Sequence, residues 1–213
     1  MPNTLYIKLR YRGRLKDPAG VQHLIYETED ICRSHGWAHR VWDEAWSKPA
    51  GLTSAFTGEA LEFEGHAPLK GISFNIGESE TVWLTFQPDG VLQSLLTLTD
   101  PTYTGDAVDL PWQRVKTGYD GATTHLALCR LFRHLAGKYF GIFEVRDESG
   151  YWDHRDDARF TAWIEAFSQG HLQLEEEMDS IEADETLGPQ QKHDTMYRIL
   201  KAFGEKFQAG DDS

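Results

Sequence analysis

The sequence predicts an α+β fold. A mostly antiparallel sheet comes from two strand-helix-strand units, with both helices on one face and two more helices at the C-terminus. Three observations point there. Residues 5–12, LYIKLRYR, alternate apolar and polar side chains, the period of a half-buried strand. Segments 18–35 and 121–139 instead repeat apolar residues at helical spacing. Between them lie further alternating runs separated by turn residues.

In the first strand Leu5, Ile7, Leu9 and Tyr11 share one side, and Lys8, Arg10 and Arg12 the other. Asp17 can cap the following helix, Pro18 suits its first position and Gly36 ends it. AHRVWDEAW (38–46) reads as a strand, and its aromatic residues, with Trp37, as core. Residues 47–60 are turn-rich and predict a loop. LEFEG, GISFNIG, TVWLTF and VLQSLLTL then predict an antiparallel meander. Residues 100–111 read as a joint. After it QRVKTGY predicts a strand, 121–139 a helix capped by Asp120, and IFEVRDE a strand. Phe160, Trp163, Ile164 and Phe167, and then Met196, Ile199, Leu200, Phe203 and Phe207, predict the two last helices. These readings divide the chain into an α+β domain, 1–155, with halves 4–99 and 112–155, and a helical extension, 156–213.

The chain has 213 residues, with 21 Lys and Arg against 34 Asp and Glu, a formal charge of −13. That balance argues against nucleic acid and against an anionic membrane surface as partners. Cys32 and Cys129 both fall on apolar helix faces and form no Cys-x-x-Cys pair. No apolar run reaches the ~20 residues of a membrane span, and the N-terminus lacks a signal-peptide pattern. The expectation is a soluble, reduced protein of the bacterial cytoplasm.

HGWAHRVWDE (35–44) and YFGIFEVRDE (139–148) echo one another, and helix phase decides how to align them. With 21–44 set against 125–148, an offset of 104, Leu24/Leu128, Ile25/Cys129, Thr28/Phe132, Ile31/Leu135 and Cys32/Ala136 coincide. Val41/Val145, Asp43/Asp147 and Glu44/Glu148 coincide as well. A gapped alternative pairs His23 with His125 but puts them on different helix faces. The ungapped choice sets aside a symmetric two-histidine metal centre of the kind the paired modules of vicinal-oxygen-chelate proteins would suggest. That likeness is one of layout only. Four identities in 24 positions leave internal duplication open, and a recurring strand-helix-strand unit is the firmer reading.

The block 116–152 combines a Lys-Thr start, a His and then a Cys on the next helix, Lys-Tyr-Phe, and Asp-Glu before Tyr-Trp. It resembles a block in a family of uncharacterised bacterial proteins. The resemblance implies no activity and directs attention to this segment.

Within it, His125 sits in the first turn of its helix on the apolar side. The helix dipole disfavours a positive charge there, so a neutral ring could act as base or ligand. The plainer reading is a packed histidine with one hydrogen bond, for which His125→Ala would cost about 1–2 kcal/mol. Asp147, Glu148, Tyr151, Trp152 and His154 form the densest polar and aromatic cluster. It offers either a contact surface for a cationic partner or carboxylates and a histidine for a divalent ion. Asp156 and Asp157 suit a helix start instead.

Lys8, Arg10, Arg12 and Arg14 would make a basic stripe with Arg114 and Lys116 if the first strands of the two units adjoin. The stripe would take phosphate or an acidic segment, or serve as a solvated face that resists edge pairing. EEEMDSIEADE (175–185) is an acidic segment of this chain that could cover it.

Phosphate-loop, nucleophile-elbow, zinc-protease and dinucleotide motifs are missing, so no cofactor is predicted. The leading expectation is a binding or interaction protein whose partner is a protein met by the acidic, aromatic surface. The alternative is a metal-dependent or hydrolase-like enzyme with a site at His125 and 147–154.

Overall fold

A computed structural model describes residues 6–57, 60–99, 110–117 and 122–207. Its first strand, β1 (Ile7–Leu15), is buried at every second residue from Ile7 to Leu15. A 3₁₀ turn at Pro18–Gly20 follows, capped by the Asp17 side chain, which accepts from the Ala19 N–H. Helix α1 (Val21–His35) ends on Gly36 in the left-handed region, φ 70°. Strand β2 (His39–Asp43) pairs antiparallel with β5 (Lys70–Phe74), and β5 with β6 (Val82–Phe86).

After the short α2 (Leu95–Leu98), β7 (Gln113–Thr117), α3 (Ala122–Tyr139) and β8 (Phe140–Asp147) form the second unit. Strands β7 and β8 both run antiparallel to β1, one on each side of it. They are therefore parallel to each other, with α3 crossing between them and β1 inserted in the gap. Strand β2 lies in the other three-stranded sheet, so the two units interlock instead of repeating one arrangement.

Residues 90–92 join the sheets. Leu15 N–H donates to Gly90 O and Leu92 N–H to Gly13 O, while Leu92 also bridges to Phe86 of β6. Buried Tyr11 adds a side-chain link: its hydroxyl donates to Trp83 O at 3.0 Å and accepts from Trp83 N–H at 2.8 Å. Desolvation raises the Tyr11 pKa, so the hydroxyl keeps its proton for that bond.

Two sequence expectations fail. Residues 47–60 are not wholly loop: β3 (Gly51–Thr57) pairs with β4 (Ala60–His66) in a separate hairpin. Small polar residues carry little strand propensity, and pairing with the neighbouring chain supplies the order that propensity does not. VLQSLLTL does not continue the meander. Its strand character ends at Leu92, and Ser94 caps α2 in a capping box with Thr97. The Asp120 cap and most of the 100–111 joint lie outside the described residues.

The stripes predicted at offset 104 keep their phase. Val21, Leu24, Ile25, Thr28 and Cys32 are buried on α1, and His125, Leu128, Cys129, Phe132 and Leu135 on α3. Residues of both stripes enter one hydrophobic cluster. At the first position the alignment sets Val21 against His125, an apolar residue against an imidazole.

The C-terminal helices α5 (Asp157–Ala183) and α6 (Pro189–Phe207) pack through edge-on and tilted aromatic rings. Trp163 and Phe167 lie 4.9 Å apart, and Phe167 and Phe207 5.1 Å. A Cβ on Gly170 would come within 3.0 Å of Phe207, so glycine permits this approach. Between α4 (Tyr151–His154) and the body of α5, Phe160 is fully buried in the main core.

Glu27 joins α1 to α3. It accepts from Lys138 Nζ at 2.8 Å and from the Tyr139 hydroxyl, and His134 Nε2 lies 2.7 Å away. Burial opposes its charge, but hydrogen bonds from Lys138, Tyr139 and His134 outweigh that and hold its pKa at about 2 against 4.5. A depressed folded-state pKa contributes stability above pH 4.5, lost as pH falls toward 2. Denaturant titrations should show wild type losing roughly 1–2 kcal/mol more than Glu27→Gln across that window, after allowance for solvent screening. Equal acid sensitivity of the two proteins would remove Glu27 as a tie between the helices.

Candidate functional site

The end of β8 sets the geometry around His125. Asp147 closes a turn over DESG: its Oδ1 accepts from Ser149 N–H at 2.9 Å and from the Ser149 hydroxyl at 2.7 Å. Gly150 takes φ 70°, which lets the chain turn into α4. The Trp152 N–H then donates to Asp147 Oδ2 at 2.9 Å. The carboxylate is thereby aimed inward before any contact with α3.

His125 meets it there, with Nε2 3.2 Å from Asp147 Oδ2. On the other side of the ring, Nδ1 lies 2.8 Å from Thr117 Oγ1, whose hydroxyl donates to Ile7 O at 3.3 Å. Cys129, one turn along α3, places Sγ 3.5 Å from Nε2, and Ser149 Oγ lies 3.3 Å from it. Phe160 stacks on the imidazole at 5.1 Å and Tyr151 meets it edge-on at 6.4 Å. The side chains of His125 and Asp147 are both 0% exposed.

Burial works to raise the Asp147 pKa, but hydrogen bonding and charge from His125, with the Ser149 and Trp152 bonds, hold it below the ordinary carboxylate value. Burial, and then the Asp147 charge, push the Cys129 thiol well above its ordinary value. With no metal bound, Cys129 is therefore a protonated thiol and a poor nucleophile.

The sequence-predicted residues divide. His125 and Asp147 bond directly, Tyr151 packs beside them, and Trp152 contributes its backbone. Glu148 turns away and pairs with Lys8 at 2.9 Å. His154 meets Tyr151 edge-on at 5.8 Å and accepts from Asp156 N–H through Nδ1. Asp156 caps α5, as its sequence position suggested, and Asp157 binds the Tyr151 hydroxyl and Arg130.

The acidic, aromatic 147–157 segment thus turns Asp147 and Tyr151 inward and its other acids outward, with Trp152 half-buried. Arg133 lies over both Tyr151 and Trp152, 5.1 and 5.0 Å from the ring centres, and donates to both their carbonyls. Thr117, Ser149 and Arg133 were not singled out from the sequence, and Phe160 only as part of the apolar stripe of its helix. Lys-Thr at the start of the block was the only trace of the first.

Two clefts of about 310 and 710 Å³ open near these elements. The smaller runs between β1 and the α5–α6 rings, and the larger between α1 and α3. Neither is lined by His125, Cys129 or Asp147.

The basic stripe occupies the other face of the sheet. The first strands of the two units do adjoin, with Lys8 opposite Lys116 and Arg10 opposite Arg114. On the far side β8 sets Arg146 opposite Arg10, completing a row Arg114–Arg10–Arg146 across three strands. Arg12 and Arg146 both lie over the Trp112 ring, at 4.5 and 4.9 Å. Arg12 pairs with Glu144, Lys116 with Glu80 and Arg14 with Asp89. Among the described residues no carboxylate lies within ion-pair distance of Arg10 or Arg114. Arg146 and Trp112 were not picked out from the sequence, because only pairing brings them to this face.

Removing His125 would leave a buried carboxylate and a buried hydroxyl without their partner. His125→Ala should therefore cost about 3–5 kcal/mol in urea denaturation, more than a packed histidine with one hydrogen bond. Thr117→Val, which removes one hydroxyl at nearly constant volume, should cost about 1–2 kcal/mol. A loss under ~1 kcal/mol for His125→Ala would mean that the Asp147 contact contributes nothing to folding. No family model, curated protein or solved structure matches the chain.

Proposed function

We propose that this chain is a binding protein, and that its contact surface is the basic face of β7-β1-β8, presented to an acidic protein surface. One observation carries the reading: the register sets arginine opposite arginine opposite arginine. Like charges directly across a sheet destabilise it, so folding alone gives no reason for the row. Trp112 beneath two guanidinium groups adds the residue types that anchor protein interfaces.

The mixed sign of the face favours a protein over a polyphosphate. Glu80, Glu144 and Glu148 punctuate it. A continuous phosphate backbone would meet those acids and the overall charge of −13, whereas a protein surface can match them one by one. The enclosed position of His125 beneath Phe160 supports treating that network as interior framework and not as a substrate cleft.

Immobilised poly-L-glutamate is a probe of this chemistry. The wild-type chain should be retained at ~50 mM salt and released as salt screens the charges. Arg10→Glu with Arg114→Glu should weaken retention at least about tenfold while leaving the melting temperature unchanged or raised. Retention that ignores both substitutions, or none at all, sinks the proposal. Tighter binding to duplex DNA than to polyglutamate, with the same sensitivity to these substitutions, would transfer the face to nucleic acid.

A further inference from the structure

We infer that His125, Cys129 and Asp147 form a buried structural zinc site, with Ser149 at the fourth position. The starting point is the crowding of one ring nitrogen. Asp147 Oδ2, Ser149 Oγ and Cys129 Sγ lie 3.2, 3.3 and 3.5 Å from His125 Nε2. A ring nitrogen offers either one hydrogen or one lone pair. Here the Ser149 hydroxyl donates to Asp147 Oδ1 and not to the ring. Thr117 Oγ1, 2.8 Å from Nδ1, holds the opposite side of the ring. A proton on Nε2 would satisfy one of the three neighbours only. A divalent cation among the four atoms satisfies all of them.

The spacing fits. Tetrahedral zinc with Zn–N and Zn–O near 2.0–2.1 Å and Zn–S near 2.3 Å sets N···O edges of about 3.3 Å and N···S edges of about 3.6 Å. The three edges from Nε2 match these, and the His125, Cys129 and Asp147 ligand atoms all lie within 4.8 Å of one another. The outer contacts also suit a metal site. Thr117 fixes the ring through Nδ1, and the Ser149 and Trp152 N–H groups hold the carboxylate.

Charge balances as well. Zinc uptake releases the Cys129 S–H proton to solvent, and one thiolate plus one carboxylate then neutralise Zn²⁺. A neutral centre suits a place where the His125 and Asp147 side chains are 0% exposed. Burial beneath Phe160, with a protein atom at all four positions, makes the role structural and leaves no position for a substrate. Cys129 follows His125 by four residues on α3, the spacing that puts two ligands on one helix face.

The test uses the full chain, purified without chelator and analysed for metal. One zinc per chain is expected. Refolding with Co²⁺ should produce a thiolate-to-cobalt charge-transfer band. Cys129→Ala, which leaves a small apolar residue in place, should abolish that band and weaken zinc binding at least about 100-fold. Chelator should lower the melting temperature of wild type and not of Cys129→Ala. A wild-type chain that is metal-free as purified and takes up neither Zn²⁺ nor Co²⁺ on refolding overturns the inference. So does zinc bound equally by Cys129→Ala, which would place the metal elsewhere.

Discussion

Strand β1 is the constraint on which the rest of the molecule depends. Its side chains alternate without interruption, and partners pair with it on both sides. Ile7, Leu9, Tyr11 and Leu15 enter the core. Lys8, Arg10, Arg12 and Arg14 cannot follow them, because a period of two sends successive residues to opposite faces. The same nine residues therefore build the apolar side on which α3 packs and the cationic side that faces away from it. A slip of one residue would exchange the two faces and bury four cations.

That strand also links the candidate site to the basic face. Ile7 accepts from Thr117, which holds one nitrogen of His125. Its neighbour Lys8 pairs with Glu148, the residue after Asp147, which faces the other nitrogen. The Asp-Glu pair at the end of β8 is divided by the pleat. Asp147 points into the core beside His125, and Glu148 points out among the cations. Acids adjacent in sequence thus serve different environments, and only one belongs with the histidine.

The buried network replaces ordinary apolar packing at one position of α3. In α1 the equivalent position is Val21, which needs nothing beyond apolar neighbours. In α3 the imidazole brings polar requirements into the interior, met by Thr117 from β7 and by Asp147 and Ser149 from the β8–α4 turn. An interior polar residue specifies its surroundings more narrowly than a methyl group does, because each nitrogen needs a partner at hydrogen-bond distance. The split β7-α3-β8 arrangement brings those partners together: both strand ends lie beside the first turn of the helix that crosses between them.

Much of the architecture was legible from period alone. The alternation of β1, the two helical stripes held in phase at offset 104, and the aromatic spacing of α5 and α6 are local patterns, and local sterics with burial suffice to read them. The Asp156 cap is local too. Pairing is not local. Residues 51–57 have weak strand propensity and are ordered by contact with β4. The arginine row exists only because β7 and β8 flank β1 in a particular register. Cys129 read as a small hydrophobe, Phe160 as part of a helical stripe, and Ser149 carried no signal, because their place beside a histidine up to 35 residues away in the chain is not local. Sequence by itself determined which residues turn inward on each element. Tertiary structure alone decided which of them meet, since a meeting depends on how elements far apart along the chain are set against each other.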